Sequence, residues 1–274
     1  MTTVITHPGV AIAERVAETI DGIFATIDGW RDIVESRLAE GLPLTAEAVD
    51  PVVASFAVPA LTGDALITGS GFVASPGALT DAAWHLAWWL RGTGEPTRLA
   101  TIDDPSHEQF RDYTALEWWR VPARTGARHL TGPYVDYVCT DDYTVTITTP
   151  VRVGGAMVGI VGADALVDRL ERELLPVLRA AGPDTALVNA SARVVTATDA
   201  GREPGSILRL EGLADALASR PAGNGSTPLE SIDASVPRRA AAGTVIALPG
   251  GATVVTCGDT SLSLVIQDPQ ASAR

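Results

Sequence analysis

The sequence predicts an α+β protein in which a long N-terminal helix backs two lobes, each built on an antiparallel sheet. Three observations carry this. Apolar residues recur in steps of three and four at Val16, Ile20, Ile23, Ile27, Trp30, Val34 and Leu38, one face of a long amphipathic helix. The run from Tyr143 to Val153 alternates up to Gly154-Gly155, and Ala156 to Gly162 returns as a second arm, the pattern of a β-hairpin. After Pro183 the succession of strands and a helix restarts in shorter form.

Taken in order, Thr6-His7-Pro8 starts the long helix, with proline near the first position, where its missing N–H is no loss. Gly41 and Pro43 stop it. At ~1.5 Å per residue it spans about 45–50 Å, longer than one small domain, so it is expected to serve both lobes or a dimer partner. The expected organisation is 1–43 for this helix, 44–165 for a distal ligand-binding lobe and 166–274 for a smaller second lobe. In the distal lobe Pro51 to Phe56 reads as a short helix, Leu66 to Ala74 as a strand and Asp81 to Arg91 as a helix. Thr97 to Ile102 reads as a strand, Asp103 to Pro133 as irregular and Tyr134 to Val138 as a short strand. After the hairpin, Val167 to Ala181 is a helix with Leu170, Leu174, Leu175 and Leu178 inward. In the second lobe Thr185 to Asn189 and Arg193 to Thr198 read as strands and Leu210 to Ala218 as a helix. Pro221 to Ser235 is rich in loop residues. Thr244 to Leu248, Thr253 to Cys257 and Ser261 to Ile266 close the sheet, and Gln267 to Arg274 is a tail.

Composition excludes several functions. The chain has 274 residues, 46% of them hydrophobic, and a formal charge of −13. Its 20 basic residues are all arginine, so no lysine is present for a Schiff base or a phosphate loop. An acidic chain repels phosphate backbones, and nucleic acid is not an expected partner. Cys139 and Cys257 form no CxxC motif and read as buried, reduced thiols. His7, His85, His107 and His129 are scattered, and neither a metal nor a cofactor is expected. Glu14, Arg15, Glu18 and Asp21 interrupt the N-terminal apolar residues. That stretch therefore reads as neither signal peptide nor membrane span, and the expected location is the cytoplasm.

Most motifs have a plain structural reading. Gly69-Ser70-Gly71-Phe72-Val73-Ala74 fits GxGxxA, but Ser75-Pro76-Gly77 follows where a nucleotide-binding helix should begin. A tight bend in a sheet explains it as well. Trp84 to Trp89 reads as helix packing, with a pocket wall as the alternative. No GxSxG motif and no cysteine with an evident base is found. Asp103-Asp104 reads as a turn and Asp141-Asp142 as the approach to a strand. What remains is the region from Tyr113 to Asp164, where Glu117, Trp118, Trp119, Arg120, Tyr134, Asp136 and Tyr137 join those two. Aromatic faces attract cations, and carboxylates neutralise and hydrogen-bond an ammonium group. Asp164 has a helix cap as its alternative, and the tryptophan pair a place in the core.

These residues carry a resemblance. Glu117-Trp118-Trp119, Gly132-Pro133-Tyr134-Val135-Asp136, Thr144 to Val151, and Val158 to Asp164 resemble the double Cache domain, the PAS-like sensor fold of many bacterial chemoreceptors and sensor kinases. The likeness runs from about Val10 to Ile266 and is strongest from Tyr113 to Leu178. It implies a non-enzymatic ligand-binding protein. In family members that bind amino acids, an aromatic pair, a Tyr-x-Asp and a later Asp form the pocket, which here implies Trp118, Trp119, Tyr134, Asp136 and Asp164. Those members carry an arginine two residues before the first aromatic, where this chain has Leu116. Arg120 lies on the other side of the pair. With Glu117 nearby, the expected ligand is a small amine or polyamine first and an amino acid second. Typical relatives are extracytoplasmic and signal across a membrane. With no span read here, the expectation departs from them to a stand-alone soluble sensor that reports to a downstream regulator or transporter, and the exposed remainder of the long helix is expected to make a homodimer. Two other classes stay open: an enzyme acting on a small amine, and an interaction scaffold with a degenerate pocket.

Overall fold

A computed structural model describes residues 7–62, 66–137, 142–219 and 243–267. Helix α1 (Pro8–Ala39) is followed by two antiparallel sheets. All seven residues of its expected apolar stripe, Val16 to Leu38, are buried. The chain divides into two compact units, Gly22–Leu166 and Met1–Asp21 with Val167–Arg274, so α1 contributes residues to both. No described helix is long and apolar enough to cross a membrane.

The Gly22–Leu166 unit holds α2 (Ala46–Ala60), α3 (Glu117–Thr125) and six strands. These are β1 (Ile67–Ala74), β2 (Leu86–Leu90), β3 (Thr97–Arg98), β4 (His129–Val135), β5 (Tyr143–Val153) and β6 (Ala156–Leu166), in the order β3-β2-β1-β6-β5-β4. Side chains alternate between the sheet's two faces. Ser70, Ala163 and Ile147 stand opposite one another on one face. There Ser70 Oγ donates to the Ala57 carbonyl of α2, and Thr149 Oγ1 donates to Asp28 of α1. Trp30 of α1 stacks on Phe56 of α2 at 5.2 Å. On the other face stand Gly69, Asp164 and Thr146, then Gly71, Gly162 and Thr148. Thr148 Oγ1 donates to the Trp118 carbonyl of α3 at 2.9 Å.

Several local expectations are corrected. Asp81 to Arg91 is not a helix: it contains strand β2, with Trp88 beside Gly71 and Trp89 beside Ser70. Both faces of that strand are buried, so its apolar run has no alternation to reveal it. The segment from Asp103 to Pro133 is not irregular throughout. It contains a 3-10 turn at Tyr113–Ala115, capped by Asp112, and then α3, which places the tryptophan pair on a helix. Pro122 lies inside α3, and Gly126 ends it in the left-handed conformation. Strand β4 begins at His129, well before Tyr134, and carries a register shift between Thr131 and Tyr134. The expected helix at Pro51 to Phe56 extends over Ala46–Ala60, and the strand from Thr97 stops at Arg98.

The second unit is a five-stranded sheet, β7 (Thr185–Val188), β8 (Val194–Ala197), β9 (Val245–Ala247), β10 (Thr253–Thr256) and β11 (Ser263–Ile266), in the order β8-β7-β11-β10-β9. Helix α4 (Val167–Arg179) buries Leu170, Leu174 and Leu178, and α5 (Leu213–Ala218) packs Leu213 and Leu217 into the sheet's core. Leu175 is only half-buried. Cys257 is a fully buried thiol. Cys139, Asp141, the expected loop from Pro221 to Ser235 and the tail after Gln267 lie outside the described residues.

Candidate ligand-binding site

The site is built on the sheet face that α3 covers. Pairing sets Gly69 of β1, Asp164 of β6 and Thr146 of β5 in one row. Asp164 lies inside β6, paired on both sides, so it is not the cap of α4. Thr146 Oγ1 donates to Asp164 Oδ1 at 2.6 Å. A hydroxyl has one hydrogen, so the 2.7 Å contact between Tyr134 and Thr146 has the tyrosine O–H as donor. Tyr134 stands opposite Thr144, just past the register shift of β4. Asp136 follows two residues later, its amide donating to the Asp142 carbonyl at 3.0 Å.

Asp136 and Asp164 are 4% and 5% exposed. Burial first, and the charge of Asp136 after it, push the Asp164 carboxyl up to about 7. The Thr146 hydroxyl and the Trp88 indole oppose that rise. Trp88 is near enough to favour the charged carboxylate, yet its Nε1–H closes no hydrogen bond. Gly69 makes this juxtaposition possible. A Cβ there would lie 2.6 Å from Asp164 Oδ2 and 2.9 Å from Trp88 Nε1, closer than packed atoms tolerate.

An aromatic cluster adjoins this row. Trp88, Tyr113 and Trp119 are buried with Val73 and Ile160, and Trp84 and Trp118 pack against them half-buried. The Tyr113 ring lies 5.2 Å from Trp119, edge-on, and 6.3 Å from Trp118, stacked. Its hydroxyl donates to the Ala74 carbonyl at 2.7 Å, and burial pushes the phenol up to about 12. The two tryptophans of the pair therefore differ: Trp119 fills the core and Trp118 keeps part of its ring accessible.

The structure brings together Tyr113, Trp118 and Trp119 on one side, and Tyr134, Asp136 and Asp164 on the other, with Trp88 touching both sets. It does not bring in Glu117, which is exposed and reaches His129 Nε2 at 3.0 Å, or Arg120, which is exposed on α3. Tyr137 is 80% exposed. Sequence reasoning missed Gly69 and Thr146 as site residues, and reached Trp88 only through the alternative of a pocket wall for Trp84 to Trp89. One signal was available for Thr146: Thr144, Thr146 and Thr148 form the polar face of an alternating strand, and all three are buried. Among the described residues no cluster of His, Cys, Asp and Glu is fit to hold a metal ion. A groove in the second unit, lined by Ser191, Ile207, Arg209, Glu211 and Leu213, has only exposed polar side chains.

Residues 97–172 match the family described as methyl-accepting chemotaxis protein-like, first PDC sensor domain, a span that holds every candidate residue from Tyr113 to Asp164. No curated protein matches the chain. Among solved structures, methyl-accepting chemotaxis protein X is 18% identical with a TM-score of 0.60, over 94% of this chain and 93% of that one. The ligand-binding domain of Pseudomonas fluorescens chemoreceptor CtaA, in complex with L-isoleucine, is 15% identical with a TM-score of 0.51, over 96% and 90%. That of Campylobacter jejuni chemoreceptor Tlp3, in complex with L-valine, is 14% identical with a TM-score of 0.52, over 97% and 93%. At these identities the structural likeness is one of fold. The fold is that seen in the double Cache, or PDC, ligand-binding domains of these chemoreceptors, and residues 97–172 match the model of a first PDC sensor domain.

Proposed function

We propose that the Gly22–Leu166 unit is a non-enzymatic sensory module for a small amine, with an amine or polyamine preferred and an amino acid second. The carrying observation is the pair of buried carboxylates, Asp136 and Asp164, one charge raising the proton affinity of the other. Two like charges in a dry site need a proton or a cation. An ammonium group supplies the cation, donors for both acids and a charge for the Trp118 face. A ligand carboxylate is less well served. Leu116 stands where the resemblance puts an arginine, Arg91 is held on the Ile67 carbonyl, Arg98 is held on Asp50, and Arg120 is exposed. The amino acids bound by CtaA and Tlp3 support the second choice.

Thermal unfolding against amines, polyamines, amino acids and carboxylates tests this. A ligand at a hundredfold excess over its Kd adds about 2.7 kcal/mol. A shift with amines that is lost in Asp136→Asn and reduced in Trp118→Ala supports the reading. A shift with α-amino acids alone reverses the order of preference, and no shift at all favours an interaction scaffold. Recovery of the amine unchanged after incubation checks the absence of turnover. A homodimer through α1, reporting to a regulator or transporter, belongs to the same reading. Ile33, 42% exposed, is an apolar residue such a partner would cover, and light scattering of Ile33→Glu against wild type checks it.

A further inference from the structure

We propose that the Trp88 indole N–H is a positioning donor of the amine site, which closes onto Asp164 Oδ2 once that carboxyl loses its proton to make way for an ammonium. This rests on the amine reading above.

Trp88 is 5% exposed, and its Nε1–H has no hydrogen-bond partner. A buried donor without an acceptor is unfavourable and calls for an explanation. The one at hand is Asp164. Its Oδ1 is taken by Thr146, which leaves Oδ2 beside the gap at Gly69, on whose other side lies Trp88 Nε1. With the proton on Oδ2, two donors face each other and no bond forms. Burial and Asp136 favour that protonated state in the free site.

The groups facing Asp164 come from four strands. Asp136 follows β4, Tyr134 reaches it through Thr146, Thr68 of β1 donates to its main-chain carbonyl at 3.2 Å, and Trp88 comes from β2. From α3, Trp118 and Trp119 contribute aromatic faces, while Glu117 and Arg120 are exposed. When an ammonium enters, the Asp164 proton passes to bulk buffer. The carboxylate becomes an acceptor only, and Oδ2 accepts from both the ammonium and the indole. The indole therefore favours the ionised carboxylate whether or not ligand is present, and its removal should move a pH midpoint.

The test is calorimetric titration of the whole chain with n-propylamine and putrescine between pH 5.5 and 9, wild type against Trp88→Phe. One charge-assisted hydrogen bond is worth about tenfold. Trp88→Phe should weaken binding about tenfold at pH 6, leave it nearly unchanged at pH 9 and raise the midpoint by about one unit. Equal weakening at every pH, or none, overturns the proposal and leaves Trp88 a packing residue. Should the variant fail to fold, the indole resonance of Trp88 in the wild type decides. A downfield shift of its N–H on amine addition at pH 6 supports the proposal, and an unmoved resonance overturns it. If neither amine binds wild type at any pH, the amine reading falls and takes this one with it.

Discussion

Asp164→Asn removes a charge and keeps a shape. The asparagine Oδ1 still accepts from Thr146, and nothing need move at Gly69. What changes is the pH dependence of stability. A carboxyl raised from its usual 3.8 to about 7 stabilises the fold fully below pH ~4, and that contribution is lost as pH climbs through about 7. The difference of about three units corresponds to about 4 kcal/mol. Asparagine has no proton to lose. Relative to wild type, Asp164→Asn should therefore gain about 4 kcal/mol of unfolding free energy between pH 4 and pH 8. Urea unfolding at both pH values, with a common slope, measures it. Taking the difference between the two proteins cancels the titrating groups remote from this site. A difference that stays constant from pH 4 to pH 8 would refute the idea that Asp164 holds a proton in the free site.

Four further predictions concern the same site. Gly69→Ala overpacks the gap between Asp164 and Trp88, should cost about 1–3 kcal/mol and should abolish the amine-induced shift in unfolding temperature. Gly71→Ala should cost more, because its Cβ would sit 2.0 Å from the Ala87 carbonyl oxygen, backbone that cannot rotate away. Trp119→Ala should lose about 3–5 kcal/mol, whereas half-buried Trp118→Ala should lose clearly less and chiefly weaken amine binding, as paired unfolding and titration experiments would show. Titrations with an amine at pH 6 in two buffers of different ionisation enthalpy should release close to one proton per ligand, falling towards zero above pH 8; no release at pH 6 would sink the coupling.

What the sequence revealed follows physical lines. Helix α1 and the β5–β6 hairpin have one buried face or an alternating pattern over many residues, and periodicity found them. Strand β2 was missed because Ala87, Trp88 and Trp89 are all buried, and a short run buried on both faces looks the same in a strand as in a helix. Helix α3 was missed because Pro122 falls in the middle of nine residues. Of the candidate site, Tyr134, Asp136 and Asp164 could be named from motifs along the chain. Gly69 and Thr146 could not, nor could Trp88 be placed beside the acid, because what matters is which residues stand opposite Asp164, and no spacing along one strand encodes the pairing of three.

The buried hydroxyls of β5 have a consequence for how the chain can vary. Thr144, Thr146 and Thr148 each tie a different segment to that strand: the turn at Asp142, the acid at Asp164 and the helix at Trp118. Between them stand Val145 and Ile147. Moving β5 by one residue against β6 would turn all three hydroxyls to the opposite side and bring hydrocarbon to Asp164. Gly154 and Gly155 hold that alignment at the far end of the hairpin, with φ of 57° and 85°, values most other residues adopt only with strain. Changes of chain length in this turn thus carry an odd–even rule. Shifts of one residue erase the ligand site's chemistry, while shifts of two preserve its type and change only which threonine meets the acid.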